Sequence, residues 1–352
     1  MFQQGQQIAD ISLFERRRIN LGFTSGSIHP YKDFPLNEII TTPVIFDVNG
    51  QLSAYITGYR SALVRHYLGW FKYKGIHPRP NMGHESGEPY GSMSKKKAIR
   101  ELEVFEAINR GFEKYGYRGP LIPAGYMEYD IPYNGENVCC SISKTHGDTR
   151  VLEIWNYLYH NPVTENPRLF HQFLKKLNEW LGFAYRILRE QSVLPSPESI
   201  FLDNYAFFRT NGGYGISRID MGSAEFKNDE ARLRDYADDI RGWANSFSFP
   251  FNPFSYAARL KMSPKEILIK NKKIDIEIEE VKRVSDERIE VDRRGTEVLY
   301  VAKRRFKISD RLEKSFSKAF DGEVVPEPFD ERIINSIFSK RKAVRWSNRT
   351  FW

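Results

Sequence analysis

Two residues with hard oxygen donors flank one predicted hairpin. In LDNYAFFRTNGGYGISRIDMGSA, residues 202–224, the carboxamide of Asn204 and the carboxylate of Asp220 lie sixteen positions apart. The apolar runs between them are joined by Asn211-Gly212-Gly213, which supplies the positive φ angles of a tight turn. A hairpin brings its ends together, so the two oxygens become neighbours. Magnesium takes oxygen ligands and is commonly held by one or two such groups together with nucleotide phosphates. Gly222 lets the chain turn directly past Asp220. The plainer reading of the same residues is an Asx turn and a Gly-capped strand end.

Phosphate chemistry also needs a cation that is itself held in place. Lys74 ends the strand-like run YLGWFKYKGI, residues 67–76, and Glu101 lies in the first half of the predicted helix that follows. Lys72 alternates onto the same strand face and competes with Lys74; Glu106 competes with Glu101. Taken singly, each is most often a solvated surface charge. Their order along the chain carries more: strand Lys, helix Glu, long helix, Asn loop, hairpin, Asp-x-Gly. That is the order of the phosphate and metal groups in protein kinases. Kinases add an Asp five positions before the metal-binding Asn, where this chain has Ser199. Asp203, beside Asn204, is the substitute proton acceptor, with Glu198 as a weaker one.

Other segments carry weaker chemistry. The loop from Gly83 to Gly91, with Gly87 between, offers backbone N–H groups to phosphates, and Lys95, Lys96 and Lys97 add charge. Its spacing fits neither a Walker nor a Rossmann fingerprint, and a lysine run is ordinarily a solvated helix start. His146 and Asp148, in KTHGDTR, look like fragments of an active-site loop, yet no second His stands at metal-ligand spacing. Arg218 shares the face of Asp220 and has either a phosphate or a cross-strand acid within reach. Cys139 and Cys140 are the whole cysteine complement. They exclude a disulfide framework and a zinc site, and strand alternation turns one inward and one outward.

The elements that must position these groups follow from pattern. TTPVIFDV, the turn Asn49-Gly50 and QLSAYITGY predict a hairpin after an irregular start. Ala98, Leu102, Phe105 and Ile108 keep helical spacing in KKKAIRELEVFEAINRGFEKYG. LIPAGYMEYDI and VCCSIS read as short strands. Residues 166–191 form one long helix whose apolar face, from Leu169 through Leu188, is too wide for an exposed helix. Helices follow through NDEARLRDYADDIRGWANSF, a late hairpin is predicted within 273–306, and the last 45 residues are helical and basic.

These motifs resemble a known family. Tyr73-Lys74-Gly75, Pro89-Tyr90, Ile99-Arg100-Glu101-Leu102 and Glu106-Ala107 are similar to the N-lobe signature of selenoprotein O. That signature is a Leu-Lys-Gly strand end, a Thr-Pro-Tyr loop and a helix reading Ile-Arg-Glu-Phe…Ser-Glu-Ala. Leu202-Asp203-Asn204 and Asp220-Met221-Gly222 resemble its Thr-Asp-Asn and Asp-Tyr-Gly. The resemblance covers roughly residues 65–225 in short motifs. It implies a kinase fold that transfers AMP to protein hydroxyls. It further implies Lys74 with Glu101 as the nucleotide-aligning pair, Asp203 as proton acceptor, and Asn204 with Asp220 as metal ligands. The family's phosphate-binding arginines fall near Lys144 and Arg150. The chain departs from the pattern in having Pro197-Glu198 for His-Gly, no Asp-Gly-Arg, a longer hairpin before Asp220 and no cysteine after Cys140.

Composition bounds the rest. The 41% hydrophobic and 28% charged residues argue against a mostly disordered chain, the lack of any long apolar stretch predicts no membrane span, and 352 residues suit two domains or one two-lobed fold. The surplus of 53 Lys+Arg over 45 Asp+Glu, +8, suits phosphates as well as nucleic acid. The basic, aromatic end KRKAVRWSNRTFW is compatible with nucleic acid, but packing onto the body is favoured. The sequence-based expectation is therefore an α+β, two-lobed protein-kinase-like fold. It has a β-rich N-lobe (1–132), a mainly helical C-lobe (133–265) and a C-terminal extension (266–352). Its expected cofactors are ATP with Mg²⁺ or Mn²⁺, and its expected partner is a protein or peptide hydroxyl. AMP transfer leads; phosphoryl transfer or a non-catalytic nucleotide-binding scaffold are the alternatives. The opening stretch lacks the apolar core of a signal peptide and both cysteines suit a reducing compartment, so a cytoplasmic location is expected.

Overall fold

Residues 18–23, irregular to the eye in sequence, are the strand that organises the N-terminal third. The computed structural model describes residues 18–58, 60–83, 89–147, 149–151, 167–196, 204–245, 290–292, 298–300 and 310–330. Strand β1 (Arg18–Phe23) is followed by β2 (Gly26–Pro30), the short helix α1 (Leu36–Ile39), β3 (Val44–Phe46) and β4 (Leu52–Gly58). The expected hairpin between the last two does not form. Leu21 pairs with Phe46 on one side and Leu52 on the other, so β1 lies between β3 and β4.

The sheet continues through β5 (Ser61–His66) and β6 (Gly69–Lys74). The small hairpin of β7 (Arg79–Gly83) and β8 (Pro89–Tyr90) and the two-residue β9 (Met93–Ser94) lead into helix α2 (Lys95–Glu113). The Oγ of Ser94 accepts the N–H of Lys97 at 3.3 Å and caps α2, a contact worth about 1 kcal/mol. Two long strands follow, β10 (Leu121–Tyr133) and β11 (Glu136–Thr145). The sheet has nine antiparallel strands in the order β2-β10-β11-β6-β5-β4-β1-β3, with β9 on β11. The stretch near 129–136, expected as a boundary between lobes, is the turn of the β10–β11 hairpin, so the chain does not leave the sheet there.

One face of this sheet buries Leu21, Ala62, Val64, Phe71, Tyr73, Met127, Cys140 and Ile142. The other carries Trp70, Lys72, Lys74, Ser141 and Ser143, with α2 packed over its β10–β11 end. Cys139 and Cys140 do point to opposite faces, but neither is outside. Helix α2 covers the second face, and Cys139 packs with Met93 and Ala98.

A second core gathers around α3 (Pro167–Glu190), the predicted long helix. Onto it pack the C-terminal half of α2 and the hairpin of β14 (Tyr205–Thr210) and β15 (Gly213–Arg218). Between these in sequence lie β12 (Thr149–Arg150), which extends the hairpin, and β13 (Val193–Leu194), which pairs with β16 (Glu225–Phe226). The hairpin turns at Gly212 and Gly213, with φ of +88° and +153°, as Asn211-Gly212-Gly213 predicts. Helices α4 (Glu230–Asn245) and α5 (Asp310–Asp321) complete this core. Strands β17 (Glu290–Asp292) and β18 (Val298–Tyr300) supply a late hairpin. Its first strand is EVD, while IDIEIEEV lies outside the described residues, as does the basic end 331–352. The fold is mixed α+β. No helix among the described residues is long and apolar enough to cross a membrane.

Candidate functional site

Three elements distant in sequence meet at one point: the end of β6, the second turn of α2 and the end of β15. Strand alternation puts Lys74 on the polar face, between Ser61 of β5 and Ser141 of β11. Its Nζ donates to Oε1 of Glu101 at 2.5 Å and to Oδ1 of Asp220 at 2.5 Å. Glu101 is 1% exposed and fully used. Its Oε2 accepts the hydroxyl of Ser141 at 2.6 Å, and its Oε1 also takes the backbone N–H of Met221 at 3.3 Å. One carboxylate on α2 thus holds the sheet through Lys74 and Ser141, and the turn after β15 through Met221.

The structure separates the competitors. Lys72 stands two residues back along β6, opposite Leu63 and Ser143. Glu106 lies on another side of α2, where Tyr31 donates to it at 3.0 Å and Lys32 pairs with it. The pairing of Tyr205 with Arg218 and the 2.9 Å bond from the Ile219 N–H to the Asn204 carbonyl bring Asn204 and Asp220 to adjacent chain ends.

Asp220 is the most exposed member of the group, with its side chain 40% accessible. Burial by itself would raise its carboxyl, but the Lys74 ammonium, then Arg60 and Arg150, outweigh that and hold it well below the usual carboxylate range. Arg60, which sequence reasoning missed, approaches from the β4–β5 turn with NH2 3.8 Å from Oδ2 of Asp220. The available signal was Gly58-Tyr59-Arg60 between two strand-like runs, a turn with a cation at its tip. Ser141 was missed too; it becomes visible once VCCSIS is paired against the strand of Lys74.

The remaining expected residues divide. Arg150 pairs in register with Ala206 of β14 and lies within electrostatic reach of Asp220. Lys144 does not join the site. It stands opposite Phe71, one residue out of phase with Ser141 and Ser143, so strand alternation puts it on the sheet face away from Lys74. Gly91 has φ +84° because its backbone presses on His77: an added Cβ would sit 1.8 Å from the His77 carbonyl oxygen. Asp203 and Gly87 lie outside the described residues, as do Asp148, Glu198 and Ser199.

Lys95 is tied to Glu128 at 2.9 Å rather than left to a ligand. Arg218 makes no ion pair among the described residues. It is buried, donates to the Ser196 carbonyl at 3.4 Å and lies 5.9 Å from the Tyr205 ring. Burial, with Arg118 and Lys144 adding, pushes the His146 imidazole down to about 4 and keeps it neutral. The Cys139 thiol is pushed up to about 12, chiefly by burial.

No protein-family model matches the chain, and no curated protein matches it. Among solved structures, WaaP in complex with acyl carrier protein aligns over 67% of this chain and 90% of that one. The identity is 13% and the TM-score 0.32, too slight a likeness to assign fold or activity.

Proposed function

We propose that this chain is an ATP-dependent transferase of protein-kinase-like architecture. In this reading the sheet with α2 forms the smaller lobe and the α3 core the larger. The observation that carries it is the convergence of Lys74, Glu101 and Asp220 from three separate elements. Burying ion pairs costs desolvation that well-packed apolar side chains would avoid. A buried lysine shared by two carboxylates, one of them partly open to solvent, is therefore better explained by use than by stability. Lys74, aligned by Glu101, orients the phosphates of ATP; much of the catalysis then comes from alignment and from neutralising charge.

The donor set fits a divalent cation. Asp220 offers a partly exposed carboxylate and Asn204 a carboxamide from the adjacent chain end, both hard oxygens. These two would hold Mg²⁺ or Mn²⁺, whose contribution when bound is to neutralise phosphate oxygens. Asp203 is the proposed acceptor of the nucleophile's proton.

The acceptor is a hydroxyl, on a protein or peptide in the leading reading. AMP transfer rests on the likeness of Lys74-Gly75, Ile99-Arg100-Glu101 and Asp203-Asn204 to selenoprotein O. Phosphoryl transfer gains weight from the position of Lys144, which leaves Arg150 alone of the two cations expected to stand for the family's phosphate-binding arginines. ATP labelled in parallel at the α- and γ-phosphates separates them. Label retained only from the α position means AMP transfer, and only from γ means a kinase; label from neither position leaves a scaffold. Asp220→Ala is expected to lose magnesium-dependent ATP binding, and normal Mg-ATP binding by that variant would remove Asp220 from the metal site.

A further inference from the structure

Arg60 is tied to the site through both its backbone and its side chain. Its carbonyl accepts the N–H of Gly75 at 2.7 Å and of Ile76 at 3.3 Å, so its backbone is fastened to the residues directly after Lys74. Its guanidinium reaches back over the site: NH1 donates to the Ser92 carbonyl at 3.2 Å, and NH2 stops 3.8 Å from Oδ2 of Asp220. That separation exceeds the ~2.7–2.9 Å of a charge-assisted hydrogen bond. The contact is a loose electrostatic one between side chains 22% and 40% exposed. Asp220 meanwhile receives Lys74 on its other oxygen at 2.5 Å.

Among the described residues, cations outnumber anions at this point. Lys74, Arg60 and Arg150 bring three positive charges within reach of Asp220, while Asp220 and Glu101 bring two negative ones. A divalent cation on Asp220 would raise the surplus further. A guanidinium fork matches phosphate oxygens in pairs, and a cationic surplus on a partly open surface attracts a polyanion.

We infer that Arg60 is a second phosphate-binding residue of this site, resting on Asp220 until the polyphosphate chain of a nucleotide takes it. The inference rests on the ATP reading above. Arg60 moves with Lys74 because the Gly75 and Ile76 bonds lock the two together, so both cations meet the phosphates as one unit.

The test compares wild type with Arg60→Gln by titration calorimetry against ATP, inorganic tripolyphosphate and adenosine. Arg60→Gln is expected to bind ATP and tripolyphosphate about tenfold or more weakly, the scale of one charge-assisted hydrogen bond. Its adenosine affinity stays unchanged, which a merely structural loss would not allow. Equal tripolyphosphate affinity in a folded Arg60→Gln overturns the inference. If that variant does not fold, wild type decides: tripolyphosphate is expected to slow phenylglyoxal modification at Arg60, and an unchanged rate at saturation overturns it. The two proposals fail separately. Wild type that binds no ATP removes the transferase reading, whereas wild type that binds ATP with Arg60 indifferent removes only this one.

Discussion

The core around Trp180 and the seam at Lys74 both join distant parts of the chain, by opposite means. Trp180 is caged by Phe112, Tyr117, Phe183 and Phe208, with ring centroids 5.2–6.4 Å away, and its indole donates to the Glu327 carbonyl at 3.0 Å. Every contact there removes apolar surface from water and favours folding. The seam instead buries a lysine and a glutamate, whose dehydration their mutual attraction only offsets. The aromatic cage explains where part of the 14% aromatic content goes. On the proposed reading, the difference separates a region built for stability from one that tolerates a cost because it binds a nucleotide.

Trp180→Ala is expected to have the largest effect on the fold, a loss of about 3–5 kcal/mol in urea unfolding. A loss under ~1 kcal/mol would mean that the cage is not the main support of the second core. Lys74→Met alone comes next. It strands Glu101 without its cation, and a destabilisation of about 3 kcal/mol is expected by the same measurement.

His146 sharpens the comparison where the two regions connect. Its backbone N–H donates to the Pro120 carbonyl and its backbone carbonyl accepts the Arg209 N–H of β14. Because burial lowers its imidazole from 6.5 to about 4, the folded state resists the proton that the unfolded chain accepts. The stability from the neutral ring is whole above pH 6.5 and is lost as pH falls towards 4. Between pH 7.5 and 4.5 the unfolding free energy from urea titration is expected to fall further in wild type than in His146→Gln, by on the order of 2 kcal/mol. Parallel losses would show that His146 is not the titrating group.

Much of the seam was legible because its residues follow from short-range pattern. Alternation fixes which face Lys74 takes, helical spacing turns Glu101 inward, and Asn211-Gly212-Gly213 closes the hairpin that carries Asp220. What stayed hidden depends on pairing between distant strands. β1 alternates only over Arg18–Leu21, and such a short run does not say which strands it pairs with, so the insertion of Leu21 between Phe46 and Leu52 could not be foreseen. Lys144 was proposed from family likeness alone, which carries no register, and one residue of register decides which face it takes. Arg60 is a turn residue whose role exists only once β15 is brought opposite it. One of Cys139 and Cys140 was expected outside because a lone strand says nothing about the helix that will lie on it.

The central claim is that the Lys74–Glu101 pair serves nucleotide binding and not stability. Lys74→Met combined with Glu101→Gln removes both charges while keeping a carbonyl oxygen for the Met221 N–H and an amide that can donate to the Ser141 hydroxyl. Titration calorimetry with ATP and Mg²⁺, alongside urea unfolding, tests it directly. The expected result is stability within about 1 kcal/mol of wild type, with ATP affinity lower by roughly a hundredfold or more. A folded double variant that binds ATP as wild type does would contradict the claim.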